Sequence, residues 1–165
     1  TGTHPEYCSR TMLNTVETFT RGKGRLMYLG GNGFYWCISF HPTLPGVIEC
    51  RKSQGVRSWE TQPGEHHHSF TGESGGLWRQ LGLAPQRLTG VGTAAFGFDS
   101  CGWYQRQPAS FDPRAGFIFE GVEADEPNGN FGVTGGAVGF EIDRVDRNLG
   151  TPANCLLLAS SAPLS

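Results

Sequence analysis

Gly24-Arg25-Leu26-Met27-Tyr28-Leu29-Gly30-Gly31-Asn32-Gly33-Phe34-Tyr35-Trp36 is the stretch whose reading decides the fold. An apolar run from Arg25 to Leu29, closed by three glycines and an asparagine, reads as a short strand that turns sharply into Phe34-Tyr35-Trp36. Upstream, Met12, Leu13, Val16 and Phe19 recur at helical spacing and predict an amphipathic helix of about three turns. Arg21-Gly22-Lys23-Gly24 stops it, with glycine expected as the left-handed cap. Thr1 to Pro5 reads as a turn, and Pro5 suits the first turn of that helix. Helix, glycine stop, strand and glycine turn form the second half of a βαβ unit, whose first strand is expected before Thr1. Ligands gather at the carboxyl ends of strands in such sheets. That rule singles out the loops at His4-Pro5-Glu6-Tyr7 and Gly30 to Tyr35.

Further along, Val47 to Arg51 reads as a strand, Glu65 to Gly76 as a polar loop rich in His and Gly, and Leu77 to Leu81 as a short helix. Alternating glycine and apolar residues over Gly90 to Phe98 point to close backbone approach or bulges. Ala115 to Val122 is expected to be a strand, Asp125 to Asn130 a turn, and Val138 to Ile142 helical or extended. Cys155 to Ala159 reads as a buried strand. The opening without Met and the close soon after Leu156-Leu157-Leu158 lead us to expect a piece cut from a larger domain. No repeat or low-complexity tract appears.

With 165 residues, the chain suits a single domain. Its 25 glycines and 17% charged residues point to a loop-rich α/β or β-rich fold rather than a disordered chain. The net charge of -2 is spread along the chain, with no basic stripe, which argues against nucleic acid. No apolar run approaches the roughly 20 residues of a membrane span. The cysteines are odd in number, at positions 8, 37, 50, 101 and 155, and form no C-x-x-C pair. They read as buried, reduced thiols of a cytoplasmic protein rather than a disulfide or zinc framework.

Several side chains carry chemistry. His66, His67 and His68 are consecutive; on extended backbone His66 and His68 share a face. Glu73 stands among glycines in Thr71-Gly72-Glu73-Ser74-Gly75-Gly76, a setting that suits a carboxylate ligand to a hard metal or a general base. Tyr7 lies where a strand would hand over to a helix, and a trivalent metal would make its phenol useful as a ligand. Tyr35, at the end of the glycine turn, can face a pocket, whereas Tyr28 is expected in the core. Cys8 and Cys37 leave a thiol nucleophile open. No G-x-S-x-G, H-E-x-x-H or G-x-G-x-x-G motif is present.

Thr3-His4-Pro5-Glu6-Tyr7, the Gly24 to Trp36 stretch, Thr71-Gly72-Glu73 with Gly75-Gly76-Leu77-Trp78-Arg79, and Gly139-Phe140-Glu141-Ile142-Asp143-Arg144 together resemble the large (beta) subunit family of the N,N-dimethylformamidases. The motifs run in order through nearly the whole chain. The resemblance implies an α/β, class I glutamine amidotransferase-like three-layer domain without the cysteine nucleophile. Residues 1–165 would be one partial domain of it, loop-rich and truncated at both ends. It also implies a mononuclear Fe(III) held by two tyrosines and a glutamate. Carried over motif by motif, Tyr7 is one phenolate ligand and Glu73 the carboxylate, with Glu120 behind it. The second tyrosine is Tyr35 or lies upstream of Thr1.

The implied activity is hydrolysis of a small N-substituted formamide to formate and an amine. Glu73 and His68 would orient water, and Phe34, Trp36 and Phe70 would wall the substrate. A small subunit and a homo-oligomer are the implied partners, with neither nucleic acid nor membrane. The alternative is a non-catalytic homologue that keeps the scaffold without the metal.

Overall fold

A computed structural model describes residues 4–52, 62, 64–133 and 135–161. Of the expected turn over Thr1 to Pro5, residues 1–3 lie outside that range. The chain divides into two compact units, Thr1–Thr93 with Asp143–Pro152, and Ala94–Ile142 with Ala153–Ser165.

The first unit is built on a βαβ arrangement. Strand β1 is Tyr7–Cys8, helix α1 is Arg10–Arg21, and strand β2 is Trp36–Phe40. β1 and β2 run parallel, with Tyr7 opposite Trp36 and Cys8 opposite Cys37. The first strand is therefore present, and it occupies the position expected for the start of the helix. The helix begins later, because Ser9 caps it: its hydroxyl accepts from the Met12 amide at 3.3 Å, satisfying one of the orphan donors of the first turn. At the far end Gly22 is not left-handed; Lys23 takes φ 69° instead.

Arg25 to Leu29 is not a strand. Met27 and Leu29 are 78% and 85% exposed, so its apolar residues have no facing layer among the described residues. The second parallel strand lies beyond the glycine turn, at β2. Strand β3, Ile48–Cys50, pairs antiparallel with β2. On the same side of β2, Leu77 bridges Trp36. Leu77 to Leu81 is a run of turns, and the short helix α2 comes later, at Gln86–Thr89.

Strand alternation sorts the core of this unit. Cys8 and Cys37 face α1 and pack with Leu13, Phe34 and Trp78, while Tyr35, Trp36 and Leu77 form a second cluster. Trp78 is fully buried, and its indole N–H donates to the Cys8 carbonyl at 3.0 Å. Burial without that partner would leave a costly unpaired donor. Asn32 takes a positive φ of 50° in the glycine turn, which Asn tolerates better than most residues. At Gly33 a Cβ would fall on the Tyr28 ring.

The second unit holds two small sheets. Strand β4, Gly92–Gly102, which begins in the first unit, pairs with β6, Val138–Arg144. Strand β5, Tyr104–Arg106, pairs antiparallel with β7, Ala159–Ser161. Gly92 and Gly97 are thus part of one long strand, while Gly90 is the left-handed cap of α2. Gly136 is required by packing, since a Cβ there would collide with the Gly102 carbonyl.

Two expected strands in this unit are corrected. Ala115 to Val122 contains a 3-10 helix, Gly116–Phe119, closed by i to i+3 bonds such as Ile118 N–H to the Ala115 carbonyl. The Arg106 guanidinium lies 4.3 Å from the Phe111 ring and 4.5 Å from the Phe119 ring, and donates to the Val122 carbonyl, pinning this segment as a turn. Cys155 to Leu158 is irregular and only partly covered; the strand starts at Ala159.

Candidate functional site

Tyr7 projects from β1 on the same face as Trp36, its register partner, because side chains opposite each other in a sheet share a face. Lys52, two residues beyond β3, reaches over this face. Its ammonium donates to the Tyr7 hydroxyl at 2.6 Å and lies 5.1 Å from the Trp36 ring centroid. It is 4.9 Å from the Tyr7 centroid, so it sits out along the hydroxyl rather than over that ring.

Glu73 stands in a tight loop. His68 N–H donates to the Glu73 carbonyl at 2.8 Å, Gly72 N–H to the His68 carbonyl at 2.7 Å, and Gly75 N–H to the His66 carbonyl at 2.7 Å. Gly72 supplies a positive φ of 71° at the tip, a conformation glycine takes without strain. The Glu73 carboxylate pairs with Arg10 of α1, whose guanidinium lies 5.0 Å from the Trp78 ring.

The three histidines separate. The His66 and His67 rings are in contact at 4.1 Å, and His67 bonds the Ser74 hydroxyl at 3.2 Å. His68 is only 1% exposed, and among the described residues neither of its ring nitrogens has a hydrogen-bond partner. Burial pushes the His68 imidazole below its ordinary value, with Glu49 and Glu73 opposing and Arg51 adding to the shift. The ring is therefore neutral at neutral pH. Nearby, Glu49 is drawn the other way. Burial raises it, but bonds from Ser69, Arg51 and Phe70 outweigh that and bring it down to about 2. An ion pair with Arg51 at 2.5 Å is part of this set.

Tyr35 is buried against Trp36, edge to face at 5.2 Å. Burial raises its phenol above the usual value, with Arg79 lowering it and Glu6 raising it further. Phe34 belongs to the α1-side core, and Phe70 packs edge-on against His41 at 4.7 Å. Tyr28, expected in the core, is half-buried and bonds Asp143 and the Gly33 amide. Glu120 is exposed, at the end of the 3-10 helix in the second unit. The Cys8 and Cys37 thiols are pushed by burial up to about 12. Neither is the low-pKa, accessible thiol that a nucleophile needs.

Tyr7, Tyr35 and Glu73 supply hard oxygen donors of the kind a trivalent iron takes. The two unpartnered nitrogens of His68, one backbone bond from Glu73, mark a buried position that lacks a polar partner. In donor chemistry these residues fit such an ion. Among the described residues, no group of three or more His, Cys, Asp or Glu is arranged to hold a metal, so the candidate set depends on its phenols. Nor does a hydrogen bond or ion pair among the described residues join Tyr7, Tyr35 and Glu73 to one another. Instead Tyr7 meets Lys52, Glu73 meets Arg10, and Tyr35 feels Arg79. Sequence reasoning missed these cations and Glu49; their only local signal is that Arg51-Lys52 follows a strand, and Arg10 opens a helix.

Among the described residues no helix is long and apolar enough to cross a membrane. A model of the family described as "N,N-dimethylformamidase beta subunit-like, C-terminal" matches residues 1–165. Among curated proteins, an N,N-dimethylformamidase beta subunit of Paracoccus aminophilus is 48% identical over 98% of this chain. A protein of the same name from Alcaligenes sp is 46% identical over the same share. The chain spans 21% of the length of each. With the whole chain matched by the family model and nearly all of it by two relatives, this chain belongs to the N,N-dimethylformamidase beta subunit-like, C-terminal family.

Proposed function

We propose that the protein carrying this chain hydrolyses a small N-substituted formamide, of the N,N-dimethylformamide kind, to formate and an amine. The observation that carries this reading is that 98% of this chain aligns with a 21% stretch of two proteins named for that activity. We assign a mononuclear Fe(III) to the site, with Tyr7, Glu73 and Tyr35 as its protein ligands. Bound there, the ion supplies Lewis acidity toward the amide carbonyl.

The remaining roles belong to this chain's side chains. His68 is neutral and, among the described residues, unpartnered, and we assign one of its ring nitrogens to accept the proton of the attacking water. Glu73 orients that water. Addition to the carbonyl carbon, then cleavage of the C–N bond with proton transfer to the departing nitrogen, gives formate and the amine. We assign Phe70, half-buried at the loop, together with Phe34 and Trp36, each buried in its own cluster, as the apolar wall. The parallel β1–α1–β2 unit supports an α/β reading, and we propose an amidotransferase-like three-layer domain around it. Both relatives are named as beta subunits, which supports a multi-subunit assembly, and we propose a small partner subunit and a homo-oligomer for the whole protein. We place it in the cytoplasm on its five free cysteines.

One observation favours the competing reading, a non-catalytic homologue: the Tyr7 hydroxyl and the Glu73 carboxylate already have cationic partners. Metal analysis with a visible spectrum of the full-length protein separates the two, because Fe(III)–phenolate absorbs visible light. Stoichiometric iron, a visible band and formate release support the enzyme. A colourless, iron-free protein that still hydrolyses formamides would refute the iron site, and an inactive one would favour the scaffold.

A further inference from the structure

We infer that Lys52 is a positioning residue for the Tyr7 oxygen, and the inference rests on the proposed role of Tyr7 as an iron ligand. Among the described residues Tyr7 lies on a two-residue edge strand, and it is 40% exposed, so little packing fixes its ring. What fixes its hydroxyl is the Lys52 ammonium at 2.6 Å. Lys52 is itself held: it follows β3, which is locked in register to β2, and its ammonium rests against the Trp36 ring. Trp36 is only 3% exposed and is the register partner of Tyr7. The three strands thus bring one ammonium, from two residues beyond β3, across β2 to Tyr7 of β1. Groups that hydrogen-bond a metal ligand set its orientation and its donor strength. An ammonium on the phenol oxygen stabilises the filled orbital from which a phenolate gives charge to iron.

The test uses the full-length protein loaded with Fe(III) and reads the wavelength of the phenolate-to-iron band. Lys52→Met keeps an unbranched side chain and removes the charge; Lys52→Arg keeps a cation. Band position, unlike band intensity, does not depend on how much of a variant folds. Lys52→Met is expected to move the band to longer wavelength, because the donor orbital rises when the ammonium is lost. Lys52→Arg is expected to move it back toward the parent. Tyr7→Phe is the control for the underlying reading: loss of its contribution to the band shows that Tyr7 is a ligand. If Tyr7→Phe removes that contribution while Lys52→Met leaves the band where it was, the role of Lys52 is overturned and the iron site stands. If Tyr7→Phe leaves both iron and band unchanged, Tyr7 is not a ligand and both fail.

Discussion

Tyr28 and Asp143, 115 positions apart, are joined by a hydrogen bond from the phenol to a carboxylate oxygen at 3.1 Å. The same hydroxyl accepts the Gly33 amide at 2.8 Å. The Thr93 hydroxyl lies 3.1 Å from the other Asp143 oxygen and 3.1 Å from Asn32 Oδ1. One aspartate therefore ties the glycine turn before β2 to the start of β4, all within the first unit. Tyr28→Phe keeps the ring under Gly33 but strands the buried Gly33 amide. It is expected to cost about 1–3 kcal/mol, read as a lower urea midpoint with an unchanged slope.

The start of α1 gives a second prediction. Ser9 is buried, and its hydroxyl serves the Met12 amide. Ser9→Ala should cost about 1 kcal/mol, and Ser9→Asp should retain most of the stability, since a carboxylate also accepts at a helix N-terminus. Equal stability of Ser9→Ala and the parent in thermal unfolding would rule out the cap.

These two features show what a sequence discloses. α1 was legible because Leu13, Val16 and Phe19 repeat locally at helical spacing. Its start was not, since Ser9 looks like any serine until the parallel pairing of Tyr7–Cys8 with Trp36–Cys37 makes the preceding residues a strand. Arg25 to Leu29 and Ala115 to Val122 have strand-like composition. In both, the local pattern was overruled: Met27 and Leu29 lie exposed, and Arg106 captures Phe119. β propensity expresses fit to a half-buried sheet surface, which neither segment has. At the candidate site, Tyr7, Glu73 and His68 were named from motifs. Lys52 and Arg10 were not, because an ion pair spanning 63 positions leaves no trace in local spacing. The burial of His68, but not of His66 or His67, likewise follows from the loop's backbone bonds rather than from composition.

Glu49 sets an acid limit on stability. Its folded value is lowered to about 2 from an ordinary 4.5. For a carboxylate lowered on folding, the stabilisation is fully present above the unfolded value and is lost as pH falls through the folded one. The chain should therefore lose stability between about pH 4.5 and 2. In Glu49→Gln the part of that acid slope due to this residue should vanish, while stability at pH 7 drops. A variant whose pH profile parallels the parent from 7 to 2 would show that Ser69, Arg51 and Phe70 do not hold the ionised form.

His68 gives the sharpest contrast between stability and activity. A buried imidazole with no hydrogen-bond partner on either nitrogen is a liability to folding, since an unpaired buried polar group costs about 1–3 kcal/mol. An apolar side chain of similar size would remove that cost. His68→Leu is therefore expected to raise the unfolding midpoint, by up to about 1–2 kcal/mol of stability. If His68 accepts the proton of the attacking water, the same change should lower kcat in the full-length protein by about 100-fold or more. Functional sites commonly give up stability in this way. A destabilised but active His68→Leu would reverse both halves of the argument: the imidazole would then be a packing residue, and the proton acceptor would have to be sought at Glu73.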